Sequence, residues 1–268
     1  MKTKNHIHRH EPHLHEHVKA SHQHKLHYHA PVFKFNESKY RWIEDFRGIH
    51  KGEEIWVLGC GPSLDDFPDG FFDEKYRIAI AVAWSALAFP NCTYNAFSKI
   101  DHGFMKYVSR NRRHLLHKHI IHLRERGEAA KPIGAQPIYM RVFGGCSEDY
   151  YQSLPNSLLN GTPMRYGQSG SIVHWDLQAA IIMGAKKVTA VGCSGKATKF
   201  HSYATKRGLD RIYSFSFRPG GYPIEDQTGQ SRWSELFRNG LDWLAIAFAP
   251  HGIQVARYFY GRGYEKVV

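Results

Sequence analysis

The residues best placed to do chemistry open the stretch Ile55-Trp56-Val57-Leu58-Gly59-Cys60-Gly61-Pro62-Ser63-Leu64-Asp65. Gly59 and Gly61 let a backbone turn sharply and approach something bulky. Pro62 presets the first φ of a helical turn and Ser63 is a capping residue, so N–H groups and the positive end of a peptide dipole would face outward. The chemistry expected there is anion binding, with a phosphate as the natural occupant. The pattern lacks the third glycine of the dinucleotide fingerprint and the Gly-Lys-Ser/Thr of a P-loop, so neither of those motifs is present. The plain alternative is a tight strand-to-helix turn that holds no ligand.

A second block of the same character runs from Gly167 to Ser194. Ser169-Gly170-Ser171 opens a helix with apolar Ile172, Trp175, Ala179 and Ile182 at helical spacing, Gly184 ends it, and Lys187 to Val191 forms a strand that closes on Gly192-Cys193-Ser194. Two strands thus end in Gly-Cys. In a parallel sheet both ends lie on the carboxyl edge, where open α/β sheets bind ligands, and the N–H groups at Ser169 and Gly170 would lie nearby.

The elements that must position these turns follow from short apolar runs. Arg77–Ala83, Tyr94–Ile100, His119–Leu123, Gln136–Phe143 and Ile253–Phe259 are expected strands beside Ile55–Leu58 and Lys187–Val191. Arg232–Pro250 is expected as an amphipathic helix with Trp233, Phe237, Leu241, Leu244 and Phe248 on one face, and His102–His119 as a basic helix. Pro31–Gly52, with Phe33, Phe35, Tyr40, Trp42 and Phe46, is expected to strap onto the domain. Pro68-Asp69-Gly70 stops any helix after the first glycine turn, and Gly144–Arg165 reads as loop-rich.

Residues 1–30 hold ten of the 19 histidines with almost no aliphatic residues between them, which predicts a disordered tail able to take up Zn²⁺, Ni²⁺ or Cu²⁺ adventitiously. Residues 31–268 are expected to form one α/β domain. The four cysteines are scattered, with no C-x-x-C pair, so reduced thiols are the default. A formal charge of +12 favours anionic company. The basic Arg110–Arg126 region has almost no interleaved aromatic residues, which argues against a single-strand nucleic-acid binder. No run reaches the roughly 18 apolar residues of a membrane span, and a cytoplasmic location is the expectation.

Taken together, the strand before G-x-G-P-S-L-D, the G-x-S-G-S helix and M-G-A-K-K-V-T-A-V-G resemble the 6-hydroxymethylpterin diphosphokinase MptE-like family. More distantly they resemble bacterial sialyltransferases that use CMP-sialic acid and carry G-N-G-P-S-L. The likeness covers about residues 53–260 and is specific in the two blocks. It implies a Rossmann-like, mostly parallel sheet with helices on both faces that binds ATP or another nucleotide and transfers a diphosphate or a sugar to a small-molecule or glycan acceptor. It further implies that Gly59, Gly61, Pro62 and Ser63 contact nucleotide phosphate or ribose, with Ser169, Gly170, Gly192 and Ser194 lining the same cleft.

In the diphosphokinase-like reading Asp101 and Asp65 hold Mg²⁺, although an acid in a first helical turn such as Asp65 is favourable without any metal. In the glycosyltransferase-like reading His201 is the general base, with Tyr203 or Arg207 near the leaving phosphate. Cys60 stands where the sialyltransferase-like motif has asparagine, and a thiol cannot supply an amide's donor and acceptor pair. A methyltransferase would want an acid at the end of the second strand, where this chain has Ala83-Trp84-Ser85. A non-catalytic Rossmann-like binding or assembly protein is the remaining alternative. If the glycine turn holds the ligand, Gly61→Val should abolish binding and leave the fold intact.

Overall fold

A computed structural model describes residues 41–59, 61–82, 85–97, 119–124, 137–161, 164–168, 171–193, 232–259 and 263–266, all within one unit, Asn36–Val268. Its centre is a sheet of ten strands among the described residues. In chain order these are β1 (Arg41–Trp42), β2 (Glu54–Leu58), β3 (Ile78–Val82), β4 (Tyr94–Phe97), β5 (His119–Arg124), β6 (Pro137–Gly144), β7 (Tyr166–Gln168), β8 (Lys187–Val191), β9 (Gln254–Phe259) and β10 (Gly263–Lys266). The spatial order is β1-β6-β5-β4-β3-β2-β8-β9-β10, with β7 also on β6. All pairings are parallel except β9 with β10. This is the Rossmann-like α/β arrangement that the strand runs predict.

The strands are short and apolar because both their faces are covered. In β2, Ile55 and Val57 join one core while Trp56 and Leu58 are buried on the opposite face. The first face carries the three longer helices, α2 (Glu148–Asn160), α3 (Val173–Ile182) and α4 (Arg232–Phe248). Tyr151, Leu154, Leu158, Trp175, Leu177, Phe237, Leu241, Leu244 and Phe248 lie in that core with Ile80, Val188 and Val255. Each fully buried side chain of this size contributes about 1.5–3 kcal/mol.

The other face is covered, among the described residues, by α1 (Ser85–Ala88) and an aromatic cluster. The rings of Phe67, Phe71 and Phe72 meet Trp56 at 5.9, 5.8 and 5.7 Å, and Phe89 meets Phe72 at 5.2 Å. The guanidinium of Arg77 lies 3.6 Å over Phe71 and donates to its carbonyl oxygen at 2.9 Å. The Pro68-Asp69-Gly70 turn does end the preceding 3-10 segment, Pro62–Asp66, as its residue types predict.

Helix α3 is buried on every side rather than along a stripe, since all ten residues from Val173 to Ile182 lose solvent. The polar ones find partners. His174 donates from Nε2 to the Phe237 carbonyl at 3.0 Å and stacks on that ring, and Gln178 Nε2 donates to Gly167 and His174 carbonyls at 2.7 and 2.9 Å. At its end Gly184 adopts φ +97, and the carbonyls of Ile182, Met183 and Gly184 accept from the N–H groups of Gly48, His50 and Gly52 at 3.0, 2.7 and 2.9 Å. The segment before β2 therefore straps onto the domain by capping a helix. Its earlier residues Phe33, Phe35 and Tyr40 lie outside the described residues.

Several elements depart from the sequence reading: β1 lies within the expected strap and β7 at the expected helix opening, both paired as strands with β6. Gly144–Arg165, expected as loop, contains α2, which begins after Ser147 with acidic Glu148 and Asp149 in its first turn and ends at Gly161 with φ +78. Pro155 inside the helix, where its ring removes a backbone donor, masks that signal. The hairpin partner β10 was not anticipated either. The expected helix over His102–His119, apart from His119 in β5, and the His-rich tail lie outside the described residues.

Candidate functional site

The carboxyl ends of β2 and β8 meet side by side, with Leu58 opposite Val191. They form the point at which the sheet order reverses, because the chain runs from β2 outward through β3, β4, β5 and β6 and then returns to β8 on β2's other flank. In open parallel sheets this reversal opens the crevice in which ligands bind. The two Gly-Cys turns thus come together on one rim of the sheet.

The turns are locked to each other by backbone. Gly59 donates to the Val191 carbonyl at 2.7 Å, and Gly61 donates to the Gly192 carbonyl at 2.6 Å. Gly192, at φ +70, donates its N–H to Ser63 Oγ at 2.8 Å, and Ser63 is fully buried. A Cβ at Gly59 would stand 2.6 Å from the Gly192 oxygen and 2.7 Å from Cys193 Sγ; one at Gly61 would stand 2.5 Å from that oxygen and 2.6 Å from the Gly192 carbon. The space beside these glycines is filled by the opposing turn. Their absent side chains and their N–H groups therefore build the framework of the rim, and the close approach that the sequence predicts is an approach of protein to protein.

On the β3 flank the rim is closed by Ser85. Its hydroxyl lies 2.7 Å from the Leu58 carbonyl and 2.9 Å from that of Val82, and the residue is fully buried. A methyltransferase's ribose-binding acid would be sought here; Ser85 instead ties two strand ends together. Cys193, nearly buried, donates from Sγ to the Val191 carbonyl at 3.2 Å, so its thiol also serves the turn. Cys146, just after β6, has its pKa pushed by burial up to about 12, against a hydrogen bond with the Gln168 backbone that lowers it. Burial likewise raises Cys92 far above a free thiol. Neither is a poised thiolate.

Of the residues singled out in the sequence, Gly59, Gly61, Ser63 and Gly192 are brought together here, and Pro62 begins the 3-10 segment beside them. Asp65 falls in the same segment, its side chain outside the described residues. Cys60, Asp101, Ser169, Gly170, Ser194, His201, Tyr203 and Arg207 lie outside the described residues altogether. Among the described residues no three His, Cys, Asp or Glu side chains gather where they could hold a metal ion, and no helix is long and apolar enough to cross a membrane.

A second group of polar side chains, which sequence reasoning missed, lies at the opposite, amino-terminal end of the sheet. A cleft of about 350 Å³ there is lined by Arg41, His50, Glu74 and Tyr94 above an apolar floor that includes Phe46, Ile78 and Ile138. His50 Nε2 and the Tyr94 hydroxyl are 2.8 Å apart. Burial pushes the pKa of the Tyr94 phenol up and Glu74 adds to this, while Arg41 acts the other way. Arg41 and His50 come from the strap before β2, Glu74 from the turn before β3 and Tyr94 from the start of β4, so no local motif announces them. No protein-family model and no curated protein matches the chain.

Proposed function

We infer that this protein is a nucleotide-binding transferase of the MptE-like type, moving a diphosphate from ATP to a small acceptor that carries a hydroxyl group. The observation that carries the reading is the meeting of the two Gly-Cys turns at the reversal point of a parallel sheet, the standard ligand crevice of such folds. The likeness of both blocks to the diphosphokinase-like family, and a net charge of +12 that suits a polyphosphate, support it.

Because Gly59, Gly61 and Gly192 donate within the rim, the donors for phosphate in this reading come from the Ser169–Gly170 opening ahead of α3 and from Ser194 after β8. The acceptor oxygen attacks the β-phosphorus, the bond from that phosphorus to the oxygen bridging it to the α-phosphate breaks, AMP leaves, and the hydroxyl proton passes to a base. Positioning and charge compensation supply most of the rate in such transfers. Asp101 and Asp65 are assigned to Mg²⁺, which when bound offsets phosphate charge.

The test is a thermal-shift series with ATP, GTP, CMP, UDP and S-adenosylmethionine, with and without Mg²⁺. ATP with Mg²⁺ is expected to give the largest rise; a nucleotide at a hundred times its Kd stabilises by about 2.7 kcal/mol. Asp101→Asn should remove the Mg²⁺-dependent part. A rise with CMP alone would move the chain to the sugar-transferring alternative, and one with S-adenosylmethionine alone would overturn the phosphoryl-transfer reading.

A further inference from the structure

Ten histidines from His6 to His29 have no part in the glycine rim or in the proposed transfer. Their spacing falls into groups. His6, His8 and His10 alternate with single residues, His13, His15 and His17 repeat the pattern, and two pairs follow, His22 with His24 and His27 with His29. Covalent geometry alone sets a limit here, because residues two apart can be separated by no more than about 7 Å, each step adding at most roughly 3.6 Å. Three imidazoles so tethered can reach one ion, whose bonds to ring nitrogen are about 2.0–2.1 Å long. From Met1 to Ala30 the only carboxylate side chains are Glu11 and Glu16, and the first cysteine of the chain is Cys60. The tract therefore offers far more imidazole nitrogen than carboxylate oxygen and no thiolate. That donor set suits Zn²⁺, Ni²⁺ and Cu²⁺, whereas Mg²⁺ and Ca²⁺ call for oxygen ligands.

Histidines of the folded unit are used differently. His174 is fully buried with Nε2 on the Phe237 carbonyl, and His50 Nε2 meets the Tyr94 hydroxyl at 2.8 Å. Among the described residues no three His, Cys, Asp or Glu side chains gather where they could hold an ion. The hydrophobic core begins at Ile43, and the unit that contains it begins at Asn36, both beyond the tract. Changing the tract's histidines therefore removes no residue of that core. Three imidazoles on a tetrahedral ion leave its fourth position to water, whereas structural sites close all four with protein ligands. A triplet is thus suited to reversible loading.

We propose that this tract is a reversible store for borderline divalent transition metals, one ion on His6, His8 and His10 and a second on His13, His15 and His17. The test is equilibrium dialysis of the full chain against Zn²⁺, Ni²⁺ or Mg²⁺ at micromolar free metal, with bound ions counted by atomic emission. Zn²⁺ and Ni²⁺ are each expected to fill two sites, one for each triplet, and Mg²⁺ neither. His6→Gln, His8→Gln and His10→Gln together should remove one bound ion, and adding His13→Gln, His15→Gln and His17→Gln should remove both. Replacing His22, His24, His27 and His29 by Gln should leave the two ions in place. Thermal unfolding of the metal-free variants should match the parent, because every substitution precedes the core. Uptake unaffected by the six triplet substitutions would place the metal elsewhere and overturn the proposal. So would uptake that falls in proportion to the number of histidines removed, whichever they are, since that is adventitious binding by unorganised imidazoles. Mg²⁺ taken up as well as Zn²⁺, or no Zn²⁺ taken up at all, would overturn it equally.

Discussion

At Gly61 a methyl group would stand 2.5 Å from the carbonyl oxygen of Gly192, and both atoms belong to backbone held by the hydrogen bonds of the rim. Neither can swing aside as the end of a long side chain could. Gly61→Ala is therefore expected to lower stability by about 1–3 kcal/mol, the range for forcing an extra group into a packed site. Gly144 is the contrast, because a Cβ there meets only Gln168 Nε2 at an ordinary 3.6 Å. Gly144→Ala should be neutral or raise stability by about 0.4–1 kcal/mol through the unfolded chain. Urea unfolding midpoints of the two variants decide the matter; a Gly61→Ala protein as stable as its parent would contradict the locked rim. The geometry also changes the meaning expected of Gly61→Val, whose bulk would strike the Gly192 backbone and disturb the fold before it reported on a ligand. At this scale the sequence was legible as to which glycines matter. It was not legible as to what approaches them, since the opposing turn lies more than a hundred positions away along the chain.

Elements were readable where one local rule dominated. Ile55–Leu58, Ile78–Val82 and Lys187–Val191 are too short for helices and too apolar for anything but doubly covered strands. Helix α2 was not readable because two rules conflict in it: its capping residues and the spacing of Tyr151, Leu154 and Leu158 favour a helix, while Pro155 opposes one. Packing against the core settles the conflict. The strap before β2 shows the same dependence on distant partners. Gly48, His50 and Gly52 have no helical or strand ladder of their own, yet their N–H groups bind the carbonyls that end α3. In hydrogen exchange these three amides should be protected like the last turn of α3. Gly184→Ala should loosen them, because φ +97 strains an alanine and its Cβ would stand 2.9 Å from Gly48 Cα. Exchange at His50 in the parent protein as fast as in a free peptide would show that the strap does not cap the helix.

Across the whole molecule the proposed nucleotide site occupies one edge of the sheet. The glycine rim lies at the carboxyl ends of β2 and β8, and the cleft lined by Arg41, His50, Glu74 and Tyr94 at the opposite edge, where β3 and β4 begin. Five residues of strand separate one edge from the other, roughly 16 Å at about 3.3 Å per residue. Two unit charges that far apart interact by about 1 kcal/mol at an effective dielectric of about 20, and less where water and salt intervene, so a charge change at one edge is felt weakly at the other. The described strands between the two edges are packed on both faces, so a substitution at one edge leaves the other in place. Arg41→Gln at the amino-terminal edge should therefore leave the ATP titration unchanged. An Arg41→Gln protein whose ATP affinity differs from its parent's would show that the two edges are coupled.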